Sequence, residues 1–130
     1  MATTIEQVYD YLKTQGLQPE KQDFGIYFKY QMFNFIILEY EDDPLFFRII
    51  MPGIMDVDEN NRLDVLEACN QVTAEMKIAK AFINDKESGS EVWLSTEQLL
   101  DQDPGFDDII PRSLRTLLAA HREFGSIIND

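Results

Sequence analysis

Side chains able to carry chemistry are scarce in this chain, apart from carboxylates. The 130 residues include one histidine, His121, and one cysteine, Cys69. A catalytic nucleophile needs a neighbouring base, and a zinc site needs several ligands, yet the sequence places no such partner beside either residue. Cys69 lies on the apolar side of a predicted helix, as a small buried hydrophobe, and His121 lies on the apolar stripe of another, as a packed or interface residue. We therefore predict no enzyme, no catalytic residue and no cofactor.

One acidic stretch, residues 56–67, nearly matches the calcium loop of EF-hands. Oxygen-bearing side chains occupy alternate positions and the closing position of that loop: Asp56, Asp58, Asn60, Asp64 and Glu67. Calcium favours this spacing because short side chains converge on one hard cation and a final bidentate carboxylate completes the shell. Asn61 stands where the motif has glycine, and a strand precedes the loop where the motif has a helix. The alternative interpretation is an acidic turn that caps the next helix, with Asp58, Asn60 or Asn61 as the cap.

Two further groups of acids surround predicted turns. The first comprises Asp101, Asp103, Asp107 and Asp108, and the second comprises Glu39, Glu41, Asp42 and Asp43. The first group fits no defined metal motif, so we expect a solvated loop in which Asp107 or Asp108 caps the last helix. The second group could supply a carboxylate pair of the kind that glycosidases use. Its position at a strand end and turn favours solvated charge instead.

The charge balance excludes some partners. There are 24 acidic and 11 basic side chains, and the formal net charge is −13. Nucleic-acid backbones are bound through clustered lysines and arginines, whereas Arg112, Arg115 and Arg122 are spread along one helix among acids. Anionic membranes are disfavoured for the same reason. The charge predicts solubility, or attraction to a basic or transiently exposed polypeptide.

Length and composition predict one domain, residues 1–130, in the cytoplasm. A chain of this size buries roughly two thirds of its unfolded surface, which is enough for a cooperative core. A single cysteine makes no internal disulfide and suits a reducing compartment. The first residues show no secretory signal. The longest uncharged apolar stretch, residues 32–38, is far shorter than the ~20 residues that cross a bilayer.

The elements that must position these residues follow from hydrophobic spacing. The 3.6-residue period predicts helices over residues 4–15 and 62–77 and in the segment that follows Asp108. The two-residue period predicts strands over 24–32, 33–41, 45–51, 78–84 and 91–95. The order α-β-β-β-α-β-β-α predicts an α+β fold, with an antiparallel five-stranded sheet packed by helices.

The second predicted strand is apolar on both faces. Phe35 and Ile37 point one way, while Ile36 and Leu38 point the other. Such a strand is covered on both sides, or is covered on one side by something other than this chain. Three further apolar residues, Phe46, Ile50 and Trp93, add to this surplus, so some of them must face away from the helices.

A family resemblance is densest over residues 61–128. It comprises a helix over 63–76, a strand Ile78-Ala79-Lys80-Ala81-Phe82-Ile83, a short strand Val92-Trp93-Leu94, and residues 107–111 opening the last helix. With this order of elements, nearly the whole chain resembles the YbjN-like domains, which share their fold with the small acidic chaperones of type III secretion. The resemblance implies non-enzymatic, often dimeric proteins that bind other proteins or act as regulators. It brings no catalytic motif, and the regulator role is preferred to a secretion role.

Two functions follow from these observations as hypotheses. The first is a protein-binding module, chaperone-like or regulatory, whose apolar surface binds a protein partner or forms a homodimer. The second is a calcium-responsive regulator that uses the loop at residues 56–67. A third, an enzyme built on loop carboxylates, would need two close buried acids in a deep pocket.

Overall fold

The computed structural model describes residues 3–129. Its helices are α1 (Thr4–Thr14), α2 (Arg62–Glu75) and α3 (Phe106–Ile128). Its strands are β1 (Glu20–Gln22), β2 (Gly25–Tyr30), β3 (Phe33–Leu38), β4 (Phe46–Met51), β5 (Asp56–Val57), β6 (Ala79–Lys86) and β7 (Gly89–Leu99). The α+β class and the antiparallel sheet are confirmed, but the prediction of five strands is wrong, since the described part of the chain forms seven.

The two additional strands, β1 and β5, are short and belong to segments predicted as a linker and a loop. They carry no apolar alternation, and their order comes from backbone pairing with β2 and β7. The strand β7 also runs four residues beyond the predicted end at Ser95. The first three residues of this extension, Thr96, Glu97 and Gln98, are polar, so hydrophobic spacing did not reveal it.

All strand pairs are antiparallel, and β7 lies at the centre of their arrangement. On one side β7 pairs with β6, and on the other it pairs with β4 and, further along, with β5. The sheet then continues from β4 through β3 and β2 to β1. The strands β2, β3 and β4 form an antiparallel meander, in which residues 31–32 join β2 to β3 and residues 39–45 join β3 to β4.

The three helices pack on one face of the sheet, which we call the inner face. The core there contains Phe28, Phe35, Ile37, Ile49, Leu94 and Met51 from the strands, with Leu12, Val72 and Leu117 from the helices. These side chains alternate along each strand with residues that point away from the helices. The inner face therefore takes only one of the two apolar rows of β3.

Helix α1 has a cap at each end. The Thr3 hydroxyl accepts the backbone N–H of Glu6 at 3.1 Å, which makes Thr3 the N-cap. Gly16 ends the helix with φ +81°, a conformation that glycine adopts without strain.

Helix α3 differs from its prediction at the N-terminus. Gly105 is the N-cap residue and makes no side-chain cap, so the expected cap at Asp107 or Asp108 is wrong. The helix begins earlier because Phe106 is buried against Phe47, with ring centroids 5.7 Å apart. Pro111 consequently lies in the second turn, where it has no N–H to donate to the carbonyl of Asp107, four residues earlier. Among the described residues, no helix is long and apolar enough to span a membrane.

Two outer strands of the sheet, β1 and β6, are protected against pairing with a further strand. At one edge, β1 is three residues long and all of them are exposed. At the other edge, the Thr73 hydroxyl of α2 accepts the Ala81 N–H of β6 at 2.9 Å and donates to the Ala81 carbonyl at 3.3 Å. Arg62 also donates two hydrogen bonds to Asp85, at 3.1 and 3.2 Å. Helix α2 thus occupies backbone groups with which a further strand would pair.

Candidate functional site

The second face of the sheet, which we call the outer face, carries no helix in the described part of the chain. Alternation and register place on it Tyr27, Lys29, Asn34, Ile36, Leu38, Phe46, Arg48, Ile50, Lys80, Phe82, Asn84, Glu91, Trp93, Ser95, Glu97 and Leu99. Cross-strand apolar pairs build it: Ile36 opposite Ile50, Phe46 opposite Leu99, and Phe82 opposite Trp93. The outer face is therefore a continuous surface from β2 to β6.

Phe46, Ile50 and Trp93 all lie on this face, in accordance with the apolar surplus inferred from the sequence. Ile50 has 0% of its surface exposed but does not belong to the helix-side core, so its cover comes from outer-face neighbours. The rings of Phe46 and Trp93 are half-buried. Leu99, in contrast, is 80% exposed. The centre of the outer face is therefore buried, and apolar surface remains exposed at its margin.

Charged groups divide the apolar surface of the outer face. Glu97 lies between two cations, with Lys80 Nζ at 3.0 Å and Arg48 Nε at 3.5 Å. The Arg48 contact is an ion pair by distance only, because its buried Nε lacks hydrogen-bond geometry. Arg48 also donates to the Tyr40 hydroxyl at 3.3 Å, and its guanidinium lies 5.3 Å from the Phe82 ring centre. These contacts with Tyr40, Phe82 and Glu97 fix the position of the Arg48 side chain on the outer face.

Another charged pair flanks the aromatic end of the face. Glu91 accepts hydrogen bonds from Lys86 Nζ and, at 2.9 Å, from Trp93 Nε1. The bond from Lys86, and then that from Trp93, lowers the pKa of Glu91. Because Lys86 also lies 5.4 Å from the centre of the Trp93 ring, the indole is fixed from two sides.

The acidic loop at residues 56–67 forms a hydrogen-bonded turn. One carboxylate oxygen of Asp58 accepts the backbone N–H groups of Asn60 and Asn61, at 2.8 and 3.0 Å. The Asn61 side chain accepts the N–H of Asp58 at 2.8 Å and donates to the Asp56 carbonyl at 3.1 Å. Asn61 is the N-cap residue of α2, although its side chain caps no helical N–H.

The candidate calcium ligands of that loop do not converge. Asp56 lies in β5 and Asp64 in the first turn of α2. Within residues 3–129, no three His, Cys, Asp or Glu side chains are grouped so that they could hold a metal. The turn interpretation describes what the loop does in this fold.

The other acids remain dispersed on the surface. Asp101, Asp103, Asp107 and Asp108 are exposed, and so are Glu39, Glu41, Asp42 and Asp43. Asp101 accepts the backbone N–H of Asp103 at 2.9 Å, which closes the loop before α3. Their exposure agrees with the solvated charge expected of both groups.

Cys69 and His121 occupy the positions that the sequence indicated. Cys69 is 4% exposed in α2, and burial raises the pKa of its thiol to about 11. The ring of His121 packs on Phe33, with centroids 4.7 Å apart. Burial, and then the neighbouring Arg122, lowers the pKa of His121. Both residues act as packing groups in this fold.

Sequence reasoning missed two parts of the outer face. It placed the end of the last strand at Ser95, so it did not place Glu97 or Leu99 on the sheet. It also had no means of pairing Arg48 with Glu97, because their contact depends on the register of β4 against β7. One signal was available. If the strand is continued at its two-residue period, Trp93, Ser95, Glu97 and Leu99 fall on one face, although Ser95 and Glu97 are polar.

Comparison with known proteins identifies the fold. No family model matches the chain, and no curated protein matches it in sequence. Among solved structures, the chain is similar to YbjN, a proposed transcription regulator from E. coli, with a TM-score of 0.70 and 9% identity over 95% of this chain and 87% of that one. It is also similar to an uncharacterized protein from Methanothermobacter thermautotrophicus, with a TM-score of 0.67 and 12% identity over 97% and 96% of the two chains. The chain thus has a YbjN-like fold.

Proposed function

We propose that this chain is a non-enzymatic protein-binding module, chaperone-like or regulatory, that binds its partner through the outer face. The observation that carries the proposal is the sheet face that bears no helix within residues 3–129. It holds half-buried Phe46 and Trp93, and Leu99, opposite Phe46, is 80% exposed. Burial of apolar surface is the main driving force for protein association. Aromatic side chains with a flanking arginine are also typical of binding hot spots.

Protection of the sheet edges favours contact through the face. A partner strand added beside β6 would compete with the Thr73 hydroxyl for the Ala81 backbone. The three residues of β1 offer little to a partner strand at the other edge. The ion group of Glu97, Lys80 and Arg48 supplies charges that a partner must match, which gives selectivity rather than affinity.

The non-enzymatic part of the proposal is supported by where the reactive types lie. Cys69 is buried with its thiol pKa raised to about 11, so little thiolate forms near neutral pH. His121 packs against an aromatic ring. The calcium-responsive alternative is less favoured, because Asp58 already accepts two backbone hydrogen bonds within its own turn.

The proposed partner is a protein and not a nucleic acid. YbjN is described as a proposed regulator of transcription. A chain with a net charge of −13 would exert such a role through protein contacts, since a phosphate backbone repels it. A second copy of the chain is the simplest partner, and a stable dimer would bury about 1,200 Å² or more in total.

Two matched leucine substitutions test the outer face. Leu99 is 80% exposed on this face, and Leu63 is 70% exposed on α2. We expect Leu99→Arg to abolish self-association in light scattering, or to lose the protein that the wild type captures from its native cell. Leu63→Arg should behave as the wild type, and both variants should keep the wild-type melting temperature. A strictly monomeric wild type whose captured proteins are the same in both variants would contradict the proposal.

A further inference from the structure

A groove opens where the outer face ends near the N-terminus of α1. It encloses about 330 Å³ and is lined by Thr3, Thr4, Ile5, Leu38, Glu39, Tyr40, Glu41, Pro44, Phe46 and Phe47. The Thr4 hydroxyl donates to the Pro44 carbonyl at 3.1 Å, which ties α1 to the loop after β3 beside the groove. We call this the β3–β4 groove. Its Leu38 and Phe46 belong to the outer face, so its floor continues that face.

The floor and rim of the groove differ in character. The floor is apolar, and the Tyr40 and Phe46 rings meet edge-on with centroids 5.1 Å apart. The rim carries the exposed carboxylates of Glu39 and Glu41. No lysine or arginine is among the described residues that line the groove, although Arg48 reaches the Tyr40 hydroxyl from outside it, at 3.3 Å. Asp42 and Asp43 follow directly in the chain and are exposed as well. The groove therefore combines an apolar and aromatic bed with negative charge above it.

We infer that the β3–β4 groove binds an extended segment of a partner protein in which an arginine or lysine lies next to an apolar side chain. The apolar side chain fills the floor between Leu38 and Phe46, and the cation lies over the Tyr40 ring, within reach of Glu39 or Glu41. Aromatic rings and carboxylates both attract a cation, and each gains strength where water is displaced. The inference rests on the proposed function, of which it specifies the partner.

The size and charge of the groove select this occupant. Its volume lies at the lower end of the range of about 300–1,000 Å³ typical of ligand pockets, so it holds a few side chains and not a folded element. An acidic segment or a nucleic acid would be repelled by the four acids at 39, 41, 42 and 43. A basic segment gains both the apolar contact with the floor and the electrostatic attraction to the rim. The same acids attract it before contact is made.

Charge reversal at the rim tests the inference in the full-length protein. The probes are a dye-labelled peptide of alternating leucine and arginine and a matched peptide of alternating leucine and glutamate, with binding measured by fluorescence anisotropy. The test variant is Glu39→Lys with Glu41→Lys. The control variant is Glu59→Lys with Glu87→Lys, which changes the net charge equally at exposed glutamates outside the groove.

We expect the wild type and the control variant to bind the leucine–arginine peptide. The rim variant should bind that peptide at least about fivefold more weakly and should gain affinity for the leucine–glutamate peptide. Equal weakening in both variants would mean that binding follows net charge, and no binding by the wild type would mean that the groove does not take such a segment; either outcome overturns the inference. If Leu99→Arg still loses the partner, only the groove is refuted, whereas failure of both tests refutes the module.

Discussion

At the scale of single residues, Gly25 has a role that the sequence did not reveal. Its φ is +146°, and a Cβ at this position would lie 2.0 Å from the Ile37 carbonyl oxygen on β3. Only a residue without a side chain permits this close approach of β2 to β3. The first strand of the meander therefore depends on one glycine for its pairing.

We expect Gly25→Ala to lower the free energy of unfolding by more than about 2 kcal/mol, because a backbone clash is added to the strain of positive φ. Urea denaturation measures the loss. Gly89→Ala is the matched control: its φ is +135°, but nothing lies within 4 Å of the added Cβ. Its loss should be clearly smaller, and equal losses would show that the approach to Ile37 is unimportant.

His121 should make the fold weaker in mild acid. Burial, and then Arg122, lowers the pKa of His121 from its ordinary value of 6.5, so the unfolded chain takes up a proton that the folded chain refuses. Stability contributed by neutral His121 is full above pH 6.5 and is lost as pH falls from there toward the lowered folded value. We expect the free energy of unfolding of the wild type to fall relative to His121→Asn between about pH 8 and about pH 5.5. Parallel pH profiles would contradict this assignment.

At the scale of elements, hydrophobic periodicity predicted the three helices and the five longer strands. It failed where backbone pairing alone makes a strand. In β1 every residue is polar and exposed, and in β7 four polar residues, Ser95-Thr96-Glu97-Gln98, precede the last residue, Leu99. Ser95 and Thr96 are almost fully buried, at 0% and 1% exposure, although their types are usual in loops. Only the tertiary register of β7 between β4 and β6 accounts for their position.

The junction of α2 with β6 depends on one hydroxyl. Thr73 satisfies both backbone groups of Ala81, so Thr73→Val leaves a donor and an acceptor without partners at nearly constant side-chain volume. We expect a loss of about 1 kcal/mol in unfolding free energy and faster hydrogen exchange at the Ala81 amide. Thr73→Ser keeps the hydroxyl and should behave as the wild type. Unchanged exchange in the valine variant would show that water replaces the hydroxyl without cost.

At the scale of the whole molecule, the sequence predicted a surplus of apolar side chains but not where it would end. The two apolar rows of β3 predicted a strand that is covered on both sides, or on one side by something other than this chain. The structure assigns one row to the helices and the other to the outer face. There, Ile50 is hidden by its neighbours while Leu99 remains exposed. The burial of each side chain on this face depends on its neighbours in adjacent strands. The spacing of apolar residues along the sequence does not identify those neighbours.

The central position of β7 also determines when the sheet can be completed while the chain is being synthesised. The segments from α1 to β4 emerge first, but the free side of β4 stays open until residues 94–99, its partners, have been synthesised. Helix α2 and β6 emerge in the meantime and must leave a gap that a later strand fills. Such long-range closure is intrinsically slow. A nascent chain stalled before β7 would expose the unpaired backbone N–H and C=O groups of β4. Such an unfinished chain is prone to aggregate and becomes a substrate for chaperones.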